Sequence, residues 1–151
     1  MFGTPIKSDR IILVTGGFDP IHGGHVQLCK GAKSTDPDSL LCVGLNSDEW
    51  LIRKKGKYFM TFDERKEVIE ALKYVDVVVP FNDDDTACDA IDLTLQLYNN
   101  VIFCNGGDRK DGTTPEYEKW KHDSRVTFLW GVGGDNKHNS SSWILKRWSE
   151  R

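Results

Sequence analysis

Ile11-Ile12-Leu13-Val14-Thr15-Gly16-Gly17-Phe18-Asp19-Pro20-Ile21-His22-Gly23-Gly24-His25-Val26-Gln27-Leu28-Cys29-Lys30 decides the fold of this chain. Its apolar opening reads as a buried strand, and Gly24–Lys33 reads as the helix that follows. Two histidines separated by two glycines therefore sit where a strand hands over to a helix. The first N–H groups of a helix have no partner inside it and attract phosphate. Gly16, Gly17, Gly23 and Gly24 open the backbone for close approach, and His22 and His25 can donate hydrogen bonds to charge on phosphorus. Asp19-Pro20 sets the turn ahead of His22 and reads as structural, since proline fixes its own φ and keeps Asp19 out of the helical region. A histidine pair in a glycine turn is by itself a surface or capping feature. Zinc is excluded because no cysteine or carboxylate set completes a ligand shell nearby. The pattern implies phosphate chemistry.

Working outward, strand and helix signals alternate. Strands are expected at Ile11–Thr15, Leu40–Leu45, Val75–Pro80, Val101–Cys104 and Val126–Trp130. Helices are expected at Gly24–Lys33, Phe62–Lys73, Ala87–Tyr98, Pro115–Lys121 and Ser141–Glu150. Thr61 and Glu64 form a capping box, and Thr114-Pro115 is an N-cap followed by proline at the first helical position. Val68, Ile69 and Leu72 give the second helix a one-sided apolar stripe. The alternation predicts an α/β fold: a Rossmann-like, doubly wound, five-stranded parallel sheet with helices on both faces. Ligands in such sheets bind beyond the carboxyl ends of the strands. That edge would gather Phe18–His25, Asn46–Asp48, Gly106–Arg109 and Gly131–Ser142.

Composition narrows the class. A chain of 151 residues is the size of one domain, here 1–151 with a core of about 11–150. Its net charge of -3 argues against a nucleic-acid binder. No apolar run is long enough to span a membrane, and the N-terminus lacks a signal-peptide core. Cys29, Cys42, Cys88 and Cys104 lack a C-x-x-C spacing and read as packing residues in a reducing, cytoplasmic setting.

Gly17–His25 resembles the His-x-Gly-His signature of the nucleotidylyltransferase superfamily. Asn139-Ser140-Ser141-Ser142-Trp143-Ile144 resembles its second signature, Ile-Ser-Ser/Thr-Thr-x-Ile, with Asn139 in place of the first Ile. Asn46-Ser47-Asp48, Arg53-Lys54-Lys55-Gly56, Glu64-Arg65 and Gly106-Gly107-Asp108 fall between them in the order of the sugar-phosphate branch. That branch comprises the heptose-1-phosphate adenylyltransferases and glycerol-3-phosphate cytidylyltransferases, and the likeness runs from about Ile11 to Leu145.

The resemblance implies roles. His22 and His25 contact nucleotide phosphate and stabilise the transition state, joined by Lys55. Gly16, Gly17, Phe18 and Gly24 frame the nucleotide, Phe18 by packing. Ser140, Ser141 and Ser142 hold its β- and γ-phosphates, although serines at a helix start are most often plain N-caps. The family arginine after this signature falls at Leu145, and neither Lys146 nor Arg147 is assigned in its place. Gly107 and Asp108 enclose base and ribose, with Asp108 binding a ribose hydroxyl or positioning the metal. Asn46, Asp48, Lys54 and Arg65 belong to the acceptor. For the cluster Arg53-Lys54-Lys55-Gly56-Lys57, a solvated patch is the reading in isolation, and charge alone does not choose between Lys54 and Lys55. Arg65 also fits a helix-surface salt bridge.

The expected reaction is nucleotidyl transfer: an acceptor phosphate oxygen attacks the α-phosphorus of a nucleoside triphosphate, and pyrophosphate leaves in line. Mg²⁺ accompanies the nucleotide, held by substrate and water without a protein cage. Asp135-Asn136-Lys137-His138 replaces the Arg-Thr-Glu-Gly that precedes the second signature in cytidylyltransferases, which favours ATP. The alternatives are a CTP-dependent enzyme acting on a polyol phosphate, and a nucleotide-binding module without turnover. A pantetheine- or nicotinate-type adenylyltransferase is weaker, because the middle motifs favour sugar phosphates. Relatives imply a homodimer, with Trp50, Trp120, Trp143 and Trp148 available to an interface or a core.

Overall fold

The computed structural model describes residues 8–106, 114–134 and 140–150. In chain order the elements are β1 (Ser8–Gly16), α1 (Gly23–Thr35), β2 (Leu40–Leu45), α2 (Asp48–Lys55), α3 (Phe62–Glu70), β3 (Val77–Pro80), α4 (Cys88–Leu95), β4 (Tyr98–Cys104), α5 (Pro115–Trp120), β5 (Val126–Leu129) and α6 (Ser141–Ser149). The five strands form one parallel sheet in the order β3-β2-β1-β4-β5. The chain steps outward from β1 to β3, then returns to the other side of β1. The order therefore reverses between β1 and β4, and the crevice beyond their carboxyl ends is the ligand position of doubly wound sheets.

Strand alternation builds two cores. Ile12 and Val14 of β1 pack with Cys29 and Ala32 of α1 and Ile69 of α3 on one face. Ile11 and Leu13 pack with Ala90, Ile91 and Leu95 of α4 on the other. Both faces are buried, which is why these strands read as continuous apolar runs. The arrangement matches the doubly wound expectation.

Boundaries differ locally. β4 begins at Tyr98 because Tyr98 pairs with Ser8 and Asn100 with Arg10, so α4 stops at Leu95. The sequence reading missed α2. Ser47 caps it, its hydroxyl accepting from the Trp50 N–H at 3.1 Å, and Gly56 closes it at φ 87. The basic cluster is the last turn of this helix, where positive charge is favourable.

The loop after β5 lies against α1. A Cβ at Gly31 would stand 2.8 Å from the Gly133 nitrogen, and one at Gly133 2.9 Å from the Leu28 Cα. This approach brings α6 toward the start of α1. No helix among the described residues is long and apolar enough to cross a membrane.

Candidate functional site: the histidine-capped start of α1

His22 is the N-cap of α1, with extended backbone at φ -150 and ψ 178. Its Nδ1 accepts the Gly24 N–H at 3.0 Å, and the Nδ1 of His25 accepts the His22 N–H at 3.1 Å. Two free amide protons of the helix start are satisfied reciprocally, as in a capping box. Since each Nδ1 accepts, the proton of each neutral ring lies on Nε2, making Nε2 a donor. The ring centroids are 3.9 Å apart, and Phe18 meets His25 edge-on at 4.6 Å. Burial, then neighbouring His22, then Lys55 push the His25 pKa down to about 3. His25 is a neutral hydrogen-bond donor at physiological pH. Gly24 permits this packing, because a Cβ there would stand 2.7 Å from His22 Cε1.

Asp19 orders the next layer. Buried at 2% exposure, its carboxylate accepts the Phe59 N–H at 2.6 Å and the Met60 N–H at 2.8 Å. The structural reading of Asp19 agrees with this geometry. Phe18, 3% exposed, packs into the core on the α1 face of the sheet.

Arg65 lies inside the protein, its side chain 0% exposed. Its Nε donates to the Met60 carbonyl at 3.0 Å. Nη1 donates to the Gly17 and Asn46 carbonyls at 2.9 and 2.8 Å, and Nη2 to Asp48 Oδ1 at 2.7 Å. Arg65 thus ties together the loops after β1, after β2 and before α3. Asp48, with its side chain 28% exposed, gives one carboxylate oxygen to this ion pair. A buried guanidinium finds its partners wherever carbonyls converge, which helix position alone does not reveal.

The two lysines part company. Lys54 lies over the Trp50 ring, 5.1 Å from its centroid, and lines a cavity of about 600 Å³ together with Asn46. Lys55 donates to the Asp19 carbonyl at 3.2 Å and lines a second cavity of about 520 Å³ with Lys57 and Lys146. Burial lowers the Lys55 pKa, opposed by Asp19 and aided by Lys54. Asn46 is 6% exposed and donates its amide to Asp83 at 3.1 Å.

Asp83 escaped the sequence reading. From the loop after β3 it accepts the Ser47 N–H at 2.7 Å and the Ser47 hydroxyl at 2.9 Å, fixing the cap of α2 and so the aim of both lysines. Its place in the run Asp83-Asp84-Asp85 looks like solvated charge. Asn105 was missed too: it is 3% exposed, and its Nδ2 has no hydrogen-bond partner among the described residues.

The three serines divide their labour. Ser140 caps α6, accepting the Trp143 N–H at 3.1 Å. Ser141, 8% exposed, donates to the Pro20 carbonyl at 2.7 Å. That bond pins the start of α6 to the turn carrying His22. Ser141 thus gives its hydroxyl proton to the protein, while Ser142 is exposed. Two helix starts meet at one turn, and each is a favourable place for an anion. Gly107, Asp108 and the segment 135–139 lie outside the described residues.

Residues 13–139 match the family described as cytidylyltransferase-like. The chain is 33% identical over 147 residues to the bifunctional protein HldE of Geobacter sulfurreducens, an alignment covering 95% of this chain and 29% of that protein. It thus spans less than a third of that relative's length. It is 31% identical over 88 residues to the glycerol-3-phosphate cytidylyltransferase of Bacillus subtilis, covering 58% of this chain and 67% of that protein. The crystal structure of the lipopolysaccharide core biosynthesis protein from Thermoplasma volcanium GSS1 shares the fold, with TM-score 0.63 and 24% identity over 87% of this chain and 98% of that one.

Proposed function

This chain belongs to the cytidylyltransferase-like family, and from that premise we propose that it moves a nucleoside monophosphate from a nucleoside triphosphate, ATP in preference, to a sugar phosphate or related phosphate monoester. Pyrophosphate leaves by direct in-line displacement. The observation that carries this reading is the reciprocal histidine cap, which presents two Nε2 donors at a helix start that Ser141 joins to a second helix start.

A phosphate monoester is already a nucleophile near neutral pH, so the protein's task is alignment and stabilisation of charge. Neutral His25 donates to a nonbridging oxygen of the α-phosphate as negative charge grows there. His22 does the same from the adjoining ring. Lys55 brings positive charge beside them, and its partial burial strengthens that attraction. Lys146, on the same cavity as Lys55, meets the departing pyrophosphate. Phosphate oxygens and water would hold Mg²⁺, which would supply charge neutralisation along the triphosphate.

A CTP-dependent reaction with a polyol phosphate is the second reading, favoured by the likeness to the glycerol-3-phosphate cytidylyltransferase. The ATP preference rests on Asp135–His138 standing where the cytidylyltransferase pattern has Arg-Thr-Glu-Gly. All four cysteines are free and buried, in keeping with the reducing cytosol we assign to the protein.

Thermal shifts with ATP, CTP, GTP and UTP, each with Mg²⁺, separate the readings, since a ligand of the native state raises Tm by mass action. Selective stabilisation by ATP, followed by acceptor-dependent pyrophosphate release, supports the first. Selective stabilisation by CTP transfers the assignment to the second. Stoichiometric binding without pyrophosphate across a broad acceptor panel makes the protein a nucleotide-binding module.

A further inference from the structure

We propose that Asp83 is a positioning residue of the transfer reaction: from the β3–α4 loop it grips α2 at its start and in its last turn, and so holds Lys55 beside His25. The proposal rests on the nucleotidyl-transfer reading above and on the role given there to Lys55.

Topology delivers the carboxylate. β2 and β3 run parallel, with Leu45 opposite Pro80. The loops that leave them therefore start side by side, and Asp83, just past Pro80, meets Asn46 and Ser47, just past Leu45. Asp83 is 4% exposed. A carboxylate only accepts hydrogen bonds, and this one takes Asn46 Nδ2 and the Ser47 N–H on Oδ2 and the Ser47 hydroxyl on Oδ1. A buried group satisfied in this way is held in one place. Its neighbours in the acidic run, Asp84 and Asp85, are exposed.

Helix α2 needs that grip. It has eight residues, too few to be stable alone, and Leu51 is the only buried one among them. Polar contacts therefore decide where it lies. At its start, Ser47 takes the Trp50 N–H at 3.1 Å while giving its own N–H and hydroxyl to Asp83. In its last turn, Arg53 Nη2 donates to the Asp83 carbonyl at 2.8 Å and stands 3.9 Å from the carboxylate. Held at two points, the helix has neither its axis nor its rotation free. Lys55 belongs to the same last turn, and Gly56, at φ 87, ends the helix directly after it. The Lys55 ammonium reaches the Asp19 carbonyl at 3.2 Å, and its charge is felt at His25. A slip of ~1 Å in α2 would carry that ammonium off the phosphate, a misplacement that costs up to about 10²-fold in rate. The effect of Asp83 on the reaction runs through Lys55.

The test is a double-mutant cycle on the full chain. Label is followed from the α-phosphate of ATP or CTP, whichever gives the larger thermal shift, into hexose 1-phosphates or glycerol 3-phosphate. Asp83→Asn should lower kcat and kcat/KM together by about 10–100-fold. Asp84→Asn, in the same acidic run, should leave both unchanged. In a Lys55→Gln background, Asp83→Asn should cost less than about threefold, since the ammonium it placed is gone. A carboxylate that only supports the fold would cost the same in both backgrounds. That result would overturn the proposal, as would a wild-type rate for Asp83→Asn. Should Asp83→Asn fail to fold, Arg53→Gln decides, because that side chain is half-exposed and its loss removes the second grip alone. It must lower kcat in the wild-type background and leave it unchanged in the Lys55→Gln one, and any other pattern overturns the proposal. Transfer by the wild-type chain would survive each of these failures. A wild-type chain that passes no label to any acceptor removes the transfer reading and this proposal together.

Discussion

His22 and His25 cap the same helix for each other, the Nδ1 of His25 accepting the His22 N–H at 3.1 Å while the Nδ1 of His22 accepts the Gly24 N–H at 3.0 Å. Capping and catalysis are thus assigned to opposite nitrogens of one ring, and they can be separated. Asn is as good an N-cap as any residue, but it lacks a donor at the Nε2 position. His22→Asn should change stability by less than ~1 kcal/mol and lower kcat by about 10²–10³. Urea denaturation and steady-state rates on one preparation check both halves.

Gly24→Ala reaches the same ring from the other side. Alanine favours a helix by up to ~1 kcal/mol. The new Cβ would stand 2.7 Å from His22 Cε1, and the ring must swing away. Turnover should fall about 10–100-fold, while the lost cap bond, about 1 kcal/mol, offsets the helix gain and leaves Tm little changed. A variant with wild-type turnover would show that the ring position is immaterial.

pH dependence follows from the His25 pKa of about 3 against 6.5 for a free imidazole. Between these values the unfolded chain binds a proton that the folded chain does not. The His25 contribution to stability therefore rises as pH climbs from about 3 to 6.5 and is level above. At pH 5 it removes ~2 kcal/mol relative to pH 8, which His25→Gln should restore. Denaturation at both pH values gives the difference directly. The acidic limb of the rate profile should follow the acceptor's second phosphate ionisation, near about 6, and move when the acceptor is changed.

Arg65→Ala should cost about 3–5 kcal/mol, the size expected for breaking a buried ion pair, because three loops lose a shared tether. Arg65→Lys should recover only part, since an ammonium cannot reach carbonyls and carboxylate in the geometry of a guanidinium fork. Wild-type stability with a raised acceptor KM would instead make Arg65 a substrate ligand.

Ser141→Ala should lose about 1–3 kcal/mol, leaving the buried Pro20 carbonyl without its partner. Ser142→Ala, at an exposed position, should leave the urea midpoint unchanged within ~0.5 kcal/mol. The contrast distinguishes the docking of α6 from phosphate binding.

Local chemistry was legible where one residue type has one local use. Ile11–Val14 and Leu40–Leu45 read as strands because both sheet faces bury them, and Thr61 and Thr114 announced their helices. Helix α2 was hidden because Trp50 and Leu51 are surrounded by charge, and its start depends on Ser47, which Asp83 holds from a distant loop. The histidines were found because glycine, strand end and helix start adjoin in sequence. Arg65, Asp83 and the parting of Lys54 from Lys55 were not, because each depends on which loops the sheet order brings together.

The most direct test follows label from the α-phosphate of the preferred triphosphate, with a sugar phosphate or related phosphate monoester as acceptor. The account predicts that the label enters the acceptor one-for-one with pyrophosphate, and that His22→Asn slows this about 10²–10³-fold without loss of fold. Label retained in a nucleoside diphosphate, with inorganic phosphate released, would contradict it.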